Sequence, residues 1–235
     1  MKTTIAIVGE LDPEVAGCSS IEPAIGHSAR YLEHEVETQW ISSVDADGID
    51  LAQYGGVWLA AGARYLNVPG AMDLIGILRQ NSIPCLGTCR GYQYMILEFA
   101  RNVLGHSNAG HEEDNPHGDN LFLTELPPAS RKSRRSVELD EGTPISPAYP
   151  GKKALELFYG RFGVNPKIEG DLSRAGFVSM ASEYSGQYRI AGIPKHPFFI
   201  GTLFLPQLRA TRDSPHPIVT AFVKHALFRT GSNHD

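Results

Sequence analysis

The chain has 235 residues, 42% of them apolar and 20% charged, and 26 acidic against 21 basic side chains leave a net charge of −5. That balance excludes a disordered chain and supplies no general field for nucleic acid, while the length suits one large domain, residues 1–235. No apolar run approaches the roughly 20 residues of a membrane span, and Met1–Gly9 lacks a signal peptide's core and cleavage site, so a cytoplasmic protein without membrane contact is expected.

In chain order, Thr4–Gly9 reads as a central parallel strand. A polar loop with Pro13 and Gly17 follows. Ser20 is placed to cap a helix running to about Glu33, with Ile21, Ala24, Ile25, Ser28 and Leu32 along one face. Val36–Ile41 and Gly56–Ala60 read as further strands. The loop Ala61–Val68 leads to a helix with Pro69 in its first turn, ending near Gln80. Ile83–Leu86 reads as the fourth strand and Gly91–Leu104 as a helix. From Gly105 to Gly151 the alternation stops. His106, His111, His117 and Glu112-Glu113-Asp114 match no zinc spacing and read as a solvated loop. Arg131-Lys132-Ser133-Arg134-Arg135 reads as a mixed-charge exposed loop. Short β-like runs recur at Leu155–Tyr159, Phe177–Ala181, Tyr188–Ile193 and Phe198–Leu203. Pro215–Phe228 closes the chain as an amphipathic helix. Strands alternating with helices predict an α/β fold, a mostly parallel sheet with helices on both faces.

Gly87-Thr88-Cys89-Arg90-Gly91 joins a predicted strand to a predicted helix. Glycines on both sides of a cysteine fit a sharp turn that holds a nucleophile above the sheet, facing helical N–H groups. Cys89 is therefore the candidate nucleophile. Cys18 and Cys85 are the other cysteines. If the segment from Cys85 to Cys89 is extended, their Cα atoms lie roughly 10–13 Å apart, beyond the roughly 7 Å limit of a disulfide. Cys85 reads as a small buried strand residue.

The elbow, the order of elements and several later phrases together resemble the class I, or triad, glutamine amidotransferases, and within them the glutaminase domain of CTP synthase. Those phrases are Ile5–Gly9, Glu98–Gly105, Val164-Asn165-Pro166 after an arginine, and His196–Thr202 before the last catalytic strand. The resemblance spans nearly the whole chain and implies a flavodoxin-like sheet carrying a nucleophile elbow. It implies that Cys89 attacks a glutamine carboxamide to give a thioester and ammonia. Gln93 and Arg161 fall on substrate-binding positions, and a family glutamate falls loosely on His111. Arg90 would supply one oxyanion N–H. The other half of that hole falls on Ala60-Ala61-Gly62-Ala63-Arg64, around Ala61 and Gly62, where the family has Pro-Gly-Gly-Phe-Gly.

The departure comes after Gly201-Thr202. The family pattern Gln-Phe-His-Pro-Glu reads Leu203-Phe204-Leu205-Pro206-Gln207 here, so Leu205 replaces the triad histidine and Gln207 its glutamate. Leucine moves no proton, and losing a triad member typically costs on the order of 10⁴–10⁶ in turnover. His111, His117, Glu183, His196 and His216 are the substitutes by residue type, with His196 and His216 favoured as structural. Two readings follow. One is a Cys89-dependent enzyme acting on an amide or related carbonyl, with a non-standard acid/base partner. The other is an inactive homologue that binds a ligand or regulates. A third, complete CTP synthesis, fails because no P-loop is present. No metal and no cofactor are implied. The expected partner is a small amide or amino-acid-like ligand, with self-association or a separate synthetase partner as the macromolecular alternatives.

Overall fold

In the computed structural model, residues 2–128, 133–182 and 188–231 are described. The β-rich runs build a nine-stranded mixed sheet. Its first strands are β1 (Thr3–Val8), β2 (Val36–Ile41), β3 (Tyr54–Leu59) and β4 (Cys85–Thr88). After them come β7 (Ser133–Leu139), β8 (Lys153–Phe158), β10 (Val178–Ser182), β11 (Tyr188–Gly192) and β12 (Phe199–Thr202). Their order is β2-β1-β3-β4-β12-β11-β10-β7-β8. Pairings from β2 through β12 are parallel, and those from β12 to β8 are antiparallel. The expectation of a mostly parallel sheet thus holds for the five-stranded half that carries the elbow; the other half is antiparallel.

Helix α1 (Ala16–Ser19) leads directly into α2 (Ile21–Tyr31). The expected Ser20 cap is corrected: with α1 immediately ahead, Ser20 takes a helical conformation and its side chain caps nothing. Helix α3 (Val68–Gln80) starts instead with a working cap, Asn67 Oδ1 accepting from Gly70 N at 3.0 Å. Helix α4 (Arg90–Asn102) follows the elbow. It is locked to α3 by Glu98, fully buried, which accepts from Arg79 Nη2 at 2.7 Å and Nε at 2.9 Å and from Asn102 Nδ2 at 3.2 Å. Helix α6 (Pro217–Gly231) packs on α2 and on β3, where Phe222 meets Trp58 edge to face with ring centroids 6.0 Å apart.

The stretch read as irregular, Gly105–Gly151, is corrected in part: it contributes β5 (Gly110–His111), β6 (Leu121–Glu125) and β7. Strands β5, β6 and β9 (Phe162–Val164) form a second, three-stranded sheet. Arg134 and Arg135, expected in a loop, lie in β7 and pair with β8 in the register Arg134↔Leu157, Arg135↔Glu156. Arg131 and Lys132 lie outside the described residues. The short helix α5 (Glu169–Arg174) precedes β10. Among the described residues no helix is long and apolar enough to cross a membrane.

Candidate active site

Cys89 stands at the carboxyl end of β4, between the parallel neighbours β3 and β12. Its backbone is at φ 48°, ψ −101°, a conformation that a non-glycine residue holds at a cost of roughly 1–3 kcal/mol. Two bonds keep it there: Cys89 N donates to Thr202 O at 2.8 Å, and Cys89 O accepts from Gln93 N at 3.0 Å. The flanking glycines are required by close approach. A Cβ on Gly91 would strike the Leu59 carbonyl, and one on Gly87 would come within 2.9 Å of Tyr92 N. The turn read from Gly-x-Cys-x-Gly is therefore present, with its strain confined to the cysteine.

The Cys89 sulfur faces the turn after β8, 3.5 Å from where a Gly160 Cβ would sit, and Leu203 Cδ1 is 4.0 Å from the same point. Burial pushes the thiol above its ordinary value. The Arg90 charge and the Arg90 backbone N–H oppose that rise, and the Glu113 charge adds to it. The net direction is upward, so the resting group is a thiol. Among the described residues no side chain hydrogen-bonds to Sγ.

Because β12 runs parallel beside β4, the segment after Thr202 emerges at the same edge as Cys89. Leu205 is 6% exposed; its N–H donates to Leu157 O at 3.1 Å, and its Cδ1 is 3.5 Å from a Cβ position on Gly17. Gln207 is buried and donates from Nε2 to Gly17 O at 2.7 Å, while its Oε1 has no partner among the described residues. Both positions thus contact α1.

Gln93 and His111 are joined to each other. Gln93 Nε2 donates to Phe162 O at 3.0 Å, leaving Oε1 to face His111 Nε2 at 3.2 Å. His111 Nδ1 accepts from Glu113 N at 3.1 Å, which places the imidazole proton on Nε2, donated to Gln93. Burial, and after it the Arg90 charge, hold the His111 pKa down to about 4. This imidazole is neutral with both nitrogens engaged, and Arg90 Nη1 lies 3.4 Å from Nε2, an arrangement that braces Gln93. Arg161 is exposed, pairs with Glu125 Oε1 at 2.8 Å and lies over the Phe162 ring.

The acidic group expected to be solvated is a three-way tie, a correction with a clear physical basis. Glu112 accepts from the Glu125 backbone N–H at the end of β6, Glu113 pairs with Arg90 on the elbow helix, and Asp114 pairs with Arg64 of the 60–64 loop at 3.4 Å. Each carboxylate finds a different segment of the rim. Neither Glu113 nor Cys18, whose thiol lies under Ala61, carried a sequence signal, because their partners are distant along the chain.

The other residues expected as acid/base candidates lie elsewhere. His196 accepts from Phe198 N at Nδ1 and donates to Leu78 O, and both contacts are structural. His216 accepts from Ile218 N and donates to buried Glu156, which also binds Arg209 at 2.9 Å. His117 is exposed. Glu183 lies outside the described residues.

Residues 17–225 match the family model for glutamine amidotransferase class-I. The chain is 32% identical over 236 residues to a CTP synthase of Encephalitozoon cuniculi, covering 96% of this chain and 44% of that protein. A CTP synthase of Methanoculleus marisnigri is 30% identical over 230 residues, covering 95% of this chain and 43% of that one. The chain thus spans less than half the length of these relatives. The Trypanosoma brucei CTPS glutaminase domain with bound acivicin superposes with a TM-score of 0.85 at 22% identity, over 97% of this chain and 94% of that one. A glutamine amidotransferase from Thermotoga maritima gives a TM-score of 0.60 at 10% identity, over 97% and 98%.

Proposed function

Since the chain belongs to the class-I glutamine amidotransferases, we propose that it is a Cys89-dependent enzyme acting on a carboxamide or related carbonyl with a non-standard acid/base arrangement. The observation that carries this reading is the elbow itself: a strained, non-glycine residue at φ 48°, paired on both sides by backbone hydrogen bonds and facing the N-terminus of α4. Sulfur would attack the carboxamide carbon, the C–N bond would break with a proton passing to nitrogen, and water would then hydrolyse the thioester. Arg90 N–H and Gly62 N–H are the groups suited to the developing oxyanion. Gln93 would shape the substrate pocket through the Phe162 carbonyl and His111, and Arg161 beside Glu125 is the cation at its mouth. With Leu205 where a base would stand and a protonated thiol at rest, turnover of glutamine is expected to be far below that of an intact triad.

A second reading, a ligand-binding protein without turnover, is favoured by those same two facts. The two separate in one experiment. Purified protein is supplied with glutamine and related carboxamides while ammonia release is followed, with Cys89→Ala as control. Thermal shifts are read in parallel with glutamine, glutamate and acivicin. Ammonia release that disappears in Cys89→Ala supports the enzyme. Stabilisation by a ligand without any release selects the second reading, and release unchanged by Cys89→Ala removes Cys89 from the chemistry. By resemblance to CTP synthases, a synthetase unit is the macromolecular partner this domain would serve.

A further inference from the structure

The two positions that replaced the triad partners join, through α1, onto the oxyanion loop. Gln207 Nε2 holds Gly17 O at 2.7 Å, and Leu205 packs on Gly17. The next residue, Cys18, is fully buried and donates its thiol to Ala61 O at 3.3 Å. Its sulfur also lies 3.8 Å from Glu10 O, at the end of β1, and 2.9 Å from where a Cβ on Gly62 would sit. Gly62 is at φ 121°, a conformation that favours glycine, and its side is closed to any larger residue by that sulfur.

The consequence lies in the geometry of one peptide bond. Ala61 C=O and Gly62 N–H belong to the same planar trans unit and point in opposite directions. A donor fixed on Ala61 O therefore fixes the direction of Gly62 N–H, aiming it away from Cys18. Among the described residues Gly62 N–H has no acceptor, and Gly62 is exposed. The preceding carbonyl, Ala60 O, shares the Tyr65 hydroxyl proton at 3.0 Å with Val8 O at 2.9 Å. With Ala60 held by Tyr65, Cys18 is what sets the plane of the next peptide.

We propose that Cys18 is a positioning residue that orients the Ala61–Gly62 peptide so that Gly62 N–H serves as an oxyanion donor, and that Gln207 holds Cys18 in place through Gly17. This rests on the reading of Cys89 as an acyl-transfer nucleophile. It gives the glutamine at the former glutamate position a task that a carboxylate could not perform, since a carboxylate cannot donate to Gly17 O. Burial keeps the Cys18 thiol protonated, as a donor must be.

The test reads the peptide directly and then through catalysis. The one-bond N–H residual dipolar coupling of Gly62 in the ligand-free protein reports the direction of its N–H vector. It should change in Cys18→Ala and in Gln207→Glu and return to the wild-type value in Cys18→Ser, whose hydroxyl still donates. In the ammonia-release assay Cys18→Ala should lose on the order of 10²-fold in kcat with little change in KM, the usual effect of one lost oxyanion donor. Cys18→Ser should recover most of it. An unchanged Gly62 coupling in folded Cys18→Ala overturns the positioning role whatever the activity. A changed coupling in a wild-type background that releases no ammonia from any carboxamide keeps the positioning and removes only the acyl-transfer reading. If Cys18→Ala does not fold, Gln207→Glu and Cys18→Ser decide: identical Gly62 couplings in wild type and Gln207→Glu overturn the link to Gln207.

Discussion

The resting protonation state of Cys89 can be read from its alkylation kinetics. Its ordinary value is 9.0 and burial moves it upward, so at pH 7 at most about 1% of the sulfur is thiolate. The second-order rate with iodoacetamide, followed as mass added to the Cys89 peptide, should rise about tenfold per pH unit from pH 6 to beyond pH 8.5. Cys18 and Cys85 are buried and should remain unlabelled over the same interval. Glu113 raises the thiol pKa while Arg90 lowers it, and Glu113→Gln removes the first effect and leaves the second. Glu113 is the weakest of these influences, so the thiolate fraction and the alkylation rate should rise in Glu113→Gln by less than removal of the Arg90 charge lowers them. The lower intrinsic nucleophilicity of a more acidic thiol offsets part of that gain. Arg90→Met should move the rate the other way. A wild-type rate that is already flat between pH 6 and pH 8 would mean a preformed thiolate and would refute this account of the site.

Leu205→His tests the proposal that position 205 is where a base would act. Gln207 Oε1 is buried without a partner, so it can accept from the new imidazole without giving up Gly17; Cys89-dependent ammonia release should rise by about 10²-fold or more, and a folded variant with no gain would show that position 205 is misplaced for catalysis. Glu98→Gln breaks the ion pair between fully buried Glu98 and partly exposed Arg79 and should cost ~3 kcal/mol in urea unfolding, most of it regained in the Arg79→Met, Glu98→Met double variant. His111 titrates at about 4 in the fold against an ordinary 6.5. Between those values the unfolded chain binds the extra proton, so the stability it contributes is present above pH 6.5 and falls by about 3 kcal/mol as pH drops toward 4. His111→Gln should remove that part of the loss between pH 7 and pH 4.5, and equal losses in both proteins would show that His111 is not held neutral.

What the sequence made legible was the part of the molecule governed by neighbours along the chain. Gly87–Gly91 could be read as an elbow because both flanking glycines and the cysteine act within one turn, and the interior strands β1, β3, β4 and β12 of the parallel half are mostly buried runs, while the edge strand β2 alternates. Strand β8 was legible as the run Leu155–Tyr159, but β7 escaped because Arg134 and Arg135 interrupt its apolar pattern and its neighbours β10 and β8 come from later in the chain. Ser20 carried the right chemistry for a cap, but a preceding helical turn took its backbone. The acidic triplet looked solvated because its partners Arg64, Arg90 and the Glu125 backbone come from three separate segments. Periodicity cannot register contacts of that kind. Leu205 and Gln207 were singled out from a resemblance, but the contact both make with Gly17 appears only once β12 lies beside β4.

The triplet Glu112–Asp114 also links the chemistry of the sulfur to the breathing of its surroundings. Each of its bonds is at the rim, and rim segments open locally far more often than the sheet unfolds. When the 110–125 segment swings out, it carries the Glu113 charge away from Cys89, which favours ionisation. The most ionised form of this cysteine therefore belongs to a briefly open minority of molecules, and its thiolate fraction should follow amide exchange in β5 and β6 more closely than the global stability of the fold.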